Sequence, residues 1–275
     1  MREPRIGAKD VFAWLAQEGQ DTFTIEDLVE HFGVPRPNAQ GVASRMARAN
    51  KAHRLTRGLY LALEPHHWNR PETPLVANWH VVAARLATPS DHYLAYYTAM
   101  ELHRMVQHPL TTIFVATIEQ RPRLVVGPIT FRFIKVTRRK FFGIEHRQVE
   151  RGKAVAVTDL ERTLLDCGDR LDLCGGVEEV VRGFARRHDD LDADRLLRYV
   201  VELDRPVATK RLGFLLEIVG HGEPKLMWEL ERLARRLRNY APLVPGVTTE
   251  GAERNRRWEL TVNVDPDRLL AVTRT

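Results

Sequence analysis

The sequence predicts an α+β protein: a small helical unit closed by a β-hairpin, then a larger mixed unit with a small antiparallel sheet and several helices. Three observations lead there. Apolar residues recur at helical spacing in three successive segments before residue 50, and a hairpin signal centred on Gly58 follows. Between 111 and 157 the pattern shortens to strand-like runs punctuated by Pro122 and Gly127-Pro128. From Thr158 to about residue 239 helical spacing returns. The 275 residues suit two domains at roughly 100–200 residues each.

The first segment, Asp10 to Gln17, carries Val11, Phe12 and Leu15 and stops at Gly19. The second opens on Thr24, an N-cap residue, with Asp27 in the position of a capping-box partner. Ile25, Leu28, Val29 and Phe32 form its inner face, and Gly33 suits a left-handed C′ position. Val34 is the apolar plug expected between crossed helices. The third runs from Pro35 or Arg36 to Ala49, with Ala39, Val42, Ala43 and Met46 inward. Its outer face shows Asn38, Gln40, Gly41, Ser44, Arg45 and Arg48 and no carboxylate. In HRLTRGLYLAL, Leu55, Leu59, Tyr60 and Leu61 read as two short strands around Arg57-Gly58. This order, over residues 1–65, is the plan of a winged helix-turn-helix, whose third helix enters the major groove while the wing meets the backbone.

Charge points the same way. The net charge is +6, but its distribution says more. From Val34 to Leu63 the charged residues are Arg36, Arg45, Arg48, Lys51, Arg54 and Arg57, with no Asp or Glu. Phosphate neutralisation supplies much of the affinity for DNA, so an acid-free exposed face suits that partner. Asn and Gln pair bidentately with adenine and Arg with guanine.

Residues 66–88, rich in Pro, His and charge at their start, read as a connection, and 89–275 as the second domain. Ser90 or Asp91 would cap a helix bearing Leu94, Tyr97, Met100, Leu102 and Met105. Strands follow in TTIFVAT, RLVVG, ITFRFIKV and HRQVE into AVAV, with Arg132 and Lys135 on the sheet. Thr158 to Glu161 reads as a capping box, and further helices at about 175–188, 192–203, 207–219 and 223–239 precede a last strand in RRWELTVNV.

Residues 121–153 carry ten Lys and Arg against Glu145 and Glu150. Three readings stay open: solvated strand edges, a second nucleic-acid surface, or a docking face for an acidic protein. The candidate residues are Arg132, Lys135, Arg138, Arg139 and Lys140, the last three before the aromatic pair Phe141-Phe142.

Catalytic motifs are missing. There is no Gly-rich phosphate loop, GxSxG elbow or HExxH. His66-His67 read as surface residues, and His103 and His108 have no ligand partner at metal spacing. Asp159, Glu161 and Asp166 could suggest a metal-dependent nuclease, but Asp159 and Glu161 suit a helix N-terminus, and Asp166, at i+5 from Glu161, is off its face. No catalytic residue, metal or cofactor is therefore expected. No apolar run nears the ~18 residues of a membrane span, and the N-terminal MREPRIGAKD lacks a signal-peptide core. Cys167 and Cys174 fit reduced thiols in a cytoplasmic protein.

Five segments together resemble the AbiEi family of antitoxins and transcriptional regulators: GLYLAL, YTAMELH, VTDLERTLLDC, KRLGFLLE and RWELTVNVD, in the family's order over nearly the whole chain. The resemblance implies a winged-helix repressor joined to a larger domain that counters a co-encoded nucleotidyltransferase-like toxin. It implies DNA reading by Arg36, Asn38, Gln40, Ser44, Arg45 and Arg48, and wing contacts by Arg54 and Arg57. It further implies an operator in the protein's own upstream DNA; specificity there calls for two copies on repeated half-sites. It assigns no residues to antitoxin action and leaves direct contact with the toxin open. Two other readings stand beside it: a nuclease-like second domain delivered by a winged helix, and a protein-interaction scaffold.

Overall fold

The computed structural model describes residues 6–69 and 77–274. Residues 1–5, within the N-terminus expected to lack a signal, and 70–76, in the middle of the expected connection, lie outside the described residues. In chain order the elements are α1 (Ala8–Glu18), β1 (Thr22–Thr24), α2 (Ile25–Phe32), α3 (Arg36–Arg48), β2 (Ala52–Thr56), β3 (Leu59–Ala62), α4 (Pro65–Trp68) and α5 (Trp79–Ala87). Then come β4 (His92–Leu94), α6 (Tyr97–Leu102), β5 (Thr112–Thr117), β6 (Leu124–Val126), β7 (Ile129–Lys135), β8 (Ile144–Glu150) and β9 (Lys153–Thr158). The rest is α7 (Leu160–Asp169), α8 (Val177–Arg187), α9 (Ala193–Leu203), α10 (Pro206–Ile218), α11 (Pro224–Ala234), β10 (Ala241–Pro242), β11 (Glu253–Asn255), β12 (Leu260–Val262) and α12 (Pro266–Ala271). The architecture is α+β. Among the described residues no helix is long and apolar enough to cross a membrane.

In the N-terminal unit, the inward residues of α1, α2 and α3 form one core with Phe23 and Tyr60. These two rings stack at 5.5 Å across the β1–β3 pair. The three-residue β1, which sequence periodicity does not reveal, makes this an antiparallel sheet in the order β1-β3-β2. Strand alternation gives that sheet a second apolar face. Leu55, Leu59, Leu61 and Leu63 pack not on α1–α3 but on α5 and the large sheet, beside Leu86, Val115 and Phe131. Two ion pairs join the same halves, Lys153 to Asp21 at 2.6 Å and Arg85 to Asp27.

This corrects the expected connection at 66–88. Residues 79–87 form α5, whose Val82, Ala83, Leu86 and Ala87 are core. Its apolar side chains have a partner face only once the distant sheet has assembled.

The large sheet has the order β6-β7-β5-β4-β9-β8. The expectation of a largely antiparallel sheet is met only in part. β6–β7, β5–β4 and β9–β8 are antiparallel, whereas β5–β7 and β4–β9 are parallel. The strand β4 takes the start of the segment expected as one long helix, and α6 is confined to Tyr97–Leu102. Tyr93 and Leu94 are buried in the sheet between β5 and β9, which outweighs the helical spacing.

Helices α7 to α11 make the third core, together with Trp258 and Leu260. The close α7–α10 crossing needs a glycine: a Cβ on Gly168 would lie 2.8 Å from the Ala208 carbonyl oxygen.

Candidate nucleic-acid interface

The turn between α2 and α3 is built locally. Thr24 Oγ1 accepts from Asp27 N at 2.9 Å and Asp27 Oδ2 from Thr24 N at 2.8 Å, a reciprocal capping box. Gly33, at φ 62°, ends α2 with its N–H on Val29 O. Val34 is buried beneath the turn, and Pro35 and Pro37 start α3, where a missing N–H costs nothing.

Helix geometry then sorts the outer side chains. Ala39, Val42, Ala43 and Met46 are buried. At 100° per residue the line opposite them runs through Gly41, Ser44 and Arg48, flanked by Gln40 and Arg45. Arg36 and Asn38 fall on opposite edges of this face. Gln40, Arg45 and Arg48 are exposed and Ser44 half-buried. Arg48 donates to Ser44 Oγ at 3.2 Å. A Cβ on Gly41 would lie 3.2 Å from Arg45 Nη1, so the glycine leaves room for that guanidinium.

Arg36 differs from the others. It is ion-paired to Glu26 of α2, and this contact holds the Glu26 carboxyl below the usual carboxylate range. A phosphate would have to displace Glu26 to reach it. In the hairpin, Arg54 donates to Thr56 O at 3.3 Å beside a register shift between Arg54 and Thr56. Arg57 is exposed in the turn, and Gly58 (φ 87°) accepts at its carbonyl from Ile25 N, tying the turn to the start of α2.

The second basic stretch does not form one surface. Arg132 and Lys135 differ in parity along β7 and so project from opposite faces of the sheet. Arg132 lies over the Phe114 ring at 5.3 Å. Arg138, Arg139 and Lys140 form a 3-10 turn in which Arg138 pairs with Asp91 at 2.7 Å and Lys140 with Asp169 at 3.1 Å. Phe141 and Phe142 are not exposed stacking platforms. Phe141 packs edge-on against Tyr93, and Phe142 lies between Tyr199 and the Arg162 guanidinium. For Arg138 and Lys140 the acidic partners, Asp91 and Asp169, are distant in sequence.

The three carboxylates singled out in the sequence have structural partners. Asp159, not Thr158, caps α7, accepting from Arg162 N and from the Tyr199 hydroxyl at 2.8 Å. Thr158 ends β9, where it pairs with Ile144 and its carbonyl faces His103. Glu161 accepts from Asp192 N at 2.7 Å, ahead of α9. Asp166 is buried against Arg162 Nε at 3.0 Å, and Arg162 Nη1 also donates to the carbonyls of Lys140 and Phe142. Burial pushes Asp159 and Asp166 above the usual carboxylate range, although Arg162 acts in the opposite sense on Asp166. His67, expected at the surface, is buried, as are the free thiols of Cys167 and Cys174.

The whole chain shares its fold with a solved mycobacterial protein. The crystal structure of the RV2827C protein from Mycobacterium tuberculosis matches with a TM-score of 0.70 at 16% identity, covering 99% of this chain and 97% of that one. At that identity the likeness is one of fold. No protein-family model matches the chain, and no curated protein does.

Proposed function

We propose that this chain is a DNA-binding transcriptional autorepressor and antitoxin, with a winged helix-turn-helix at its N-terminus. The observation that carries the DNA-binding half is the outer face of α3. Gln40, Arg45 and Arg48 are exposed there around Gly41 and Ser44, without a carboxylate on the helix. Amides and guanidinium groups are the side chains that read adenine and guanine edges. Arg57 in the neighbouring hairpin turn is exposed and suits a phosphate. One such unit reads few base pairs, so two copies on repeated half-sites supply the specificity.

The antitoxin half rests on the sequence resemblance. The partner is a co-encoded nucleotidyltransferase-like toxin in the cytoplasm, and the second unit is the part that opposes it.

A gel shift of the full chain on its own upstream DNA, against a scrambled duplex at two salt concentrations, tests the first half. Preferential, steeply salt-dependent binding is expected. Equal weak binding to both duplexes would overturn the operator reading. Co-expression with the product of the adjacent reading frame tests the second half: growth rescue is expected, and unrelieved toxicity would overturn it.

A further inference from the structure

Two helices of the C-terminal half end with a histidine at the same spot. α8 gives way at His188 to a 3-10 turn, His188–Asp190. α10 closes at Val219, and Gly220, at φ 80°, reverses the chain so that His221 N bonds Leu216 O at 2.9 Å. These turns bring the two imidazole rings to 5.8 Å between centroids, nearly perpendicular. One ligand atom each of His188, Asp189 and His221 lie within 4.8 Å of one another.

We propose that His188, Asp189 and His221 bind a divalent transition-metal ion of the zinc, cobalt and nickel kind. The observation beyond proximity is that His221 Nε2 is buried without a hydrogen-bond partner, while the buried His188 Nδ1 makes no hydrogen bond and faces the Asp189 carboxylate. Buried polar atoms left without a partner are disfavoured, and a bound cation satisfies both lone pairs at once. His188 Nδ1 already stands 3.2 Å from Asp189 Oδ1. Tetrahedral ligands at about 2.0–2.1 Å from zinc lie about 3.4 Å apart, so closure requires small ring rotations and a swing of Asp189. That side chain is 90% exposed and free to make the move.

The donor set chooses the metal. Two imidazole nitrogens and one carboxylate oxygen suit borderline ions, whereas magnesium and calcium require oxygen-rich sites. Nearby charge favours a cation: Asp189 and Glu223 both act on His221 as negative neighbours. The adjacent Arg187 is engaged by Asp190 at 3.1 Å. The ion would clasp the end of α8 to the end of α10 and leave a fourth position open to solvent.

The test uses the untagged full chain, stripped with a chelator and titrated with Co2+ alone, then with Zn2+ as competitor. One cobalt per chain with visible ligand-field bands is expected, displaced by zinc. His188→Ala and His221→Ala should each weaken binding at least about tenfold, since losing even an outer partner of a metal ligand costs ~10–100-fold. His108→Ala, at an exposed histidine, should leave it unchanged. Zinc should raise the melting temperature of the wild type and of neither His variant. Absence of a one-to-one cobalt spectrum, or wild-type affinity in both His variants, overturns the site. Should those variants fail to fold, the exposed Asp189→Ala decides: a clear loss of affinity supports the site, and unchanged affinity overturns it.

Discussion

The indole ring of Trp258 fills the space that a side chain at Gly213 would occupy. A Cβ on Gly213 would lie 2.1 Å from the Trp258 ring, and Trp258 is fully buried. Its Nε1 donates to Glu217 one helical turn along α10. Lys210, one turn the other way, is buried and donates to Glu259 at 2.7 Å and to the carbonyls of Leu237 and Asn239. Gly213→Ala should therefore cost about 1–3 kcal/mol or more, the range of overpacked cores. Urea unfolding checks this: the midpoint should fall with the slope unchanged. An unchanged midpoint would mean that the α10–Trp258 contact relaxes freely.

That relationship also explains part of what the sequence made legible. KRLGFLLE and RWELTVNVD, distant segments of one resemblance, meet at Gly213–Trp258 and Lys210–Glu259. Helices α7 to α11 were readable because their signals are local: Asp192 caps α9, and Pro206 and Pro224 open α10 and α11. The outer face of α3 was readable for the same reason. What escaped was non-local. β4 is defined by its neighbours β5 and β9, and the stretch YLAYY gives no local sign of that. The split between Arg132 and Lys135 was already implicit in the strand ITFRFIKV, whereas the pairing of Arg36 with Glu26 depends on how the α2–α3 turn folds. His188 and His221 lie on different helix ends, and no motif spacing links them.

The buried Arg162–Asp166 pair holds the Arg138–Lys140 turn from below, through the Lys140 and Phe142 carbonyls. Removing one partner leaves the other charge buried and uncompensated. Asp166→Ala should cost about 3–5 kcal/mol, whereas Arg162→Met with Asp166→Leu should recover much of that loss. Denaturant midpoints of the two variants against the wild type decide it. Equal destabilisation by the single and double changes would show that the carbonyl contacts, not the charge pair, carry the turn.

His103 adds an acid-sensitive element. It is buried with Nε2 at 2.7 Å from Thr158 O, and burial holds its pKa below the ordinary imidazole value near 6.5. Arg147 and Arg187 push the same way, while Thr158 and Glu145 oppose them. A depressed folded pKa means that the unfolded chain binds the proton more readily. The contribution is fully present above about pH 6.5 and is lost as pH falls below it towards the folded value. Thermal melts from pH 7.5 to 5 should show stability declining, and His103→Gln should flatten that decline. A variant as steep as the wild type would assign the acid sensitivity elsewhere.

The α3 face and the hairpin turn predict separable losses in DNA binding. Arg45 flanks the centre of the outer face, with Gly41 leaving room for its guanidinium, and on the proposed function it meets a base edge. Arg45→Ala should cost about 1–3 kcal/mol of preference for the operator over scrambled DNA. Arg57 is suited to phosphate, so Arg57→Ala should weaken both duplexes alike and lower the salt slope by about 0.9. Arg36 begins bound to Glu26, so its removal should matter less than that of Arg45, and Glu26→Gln should release it. The freed guanidinium becomes one more phosphate contact, steepening the salt slope by about 0.9 and raising affinity at low salt. Binding isotherms over a salt series read all four variants together. If Glu26→Gln left the slope unchanged, Arg36 would lie outside the interface, and reading would narrow to Asn38, Gln40, Ser44, Arg45 and Arg48.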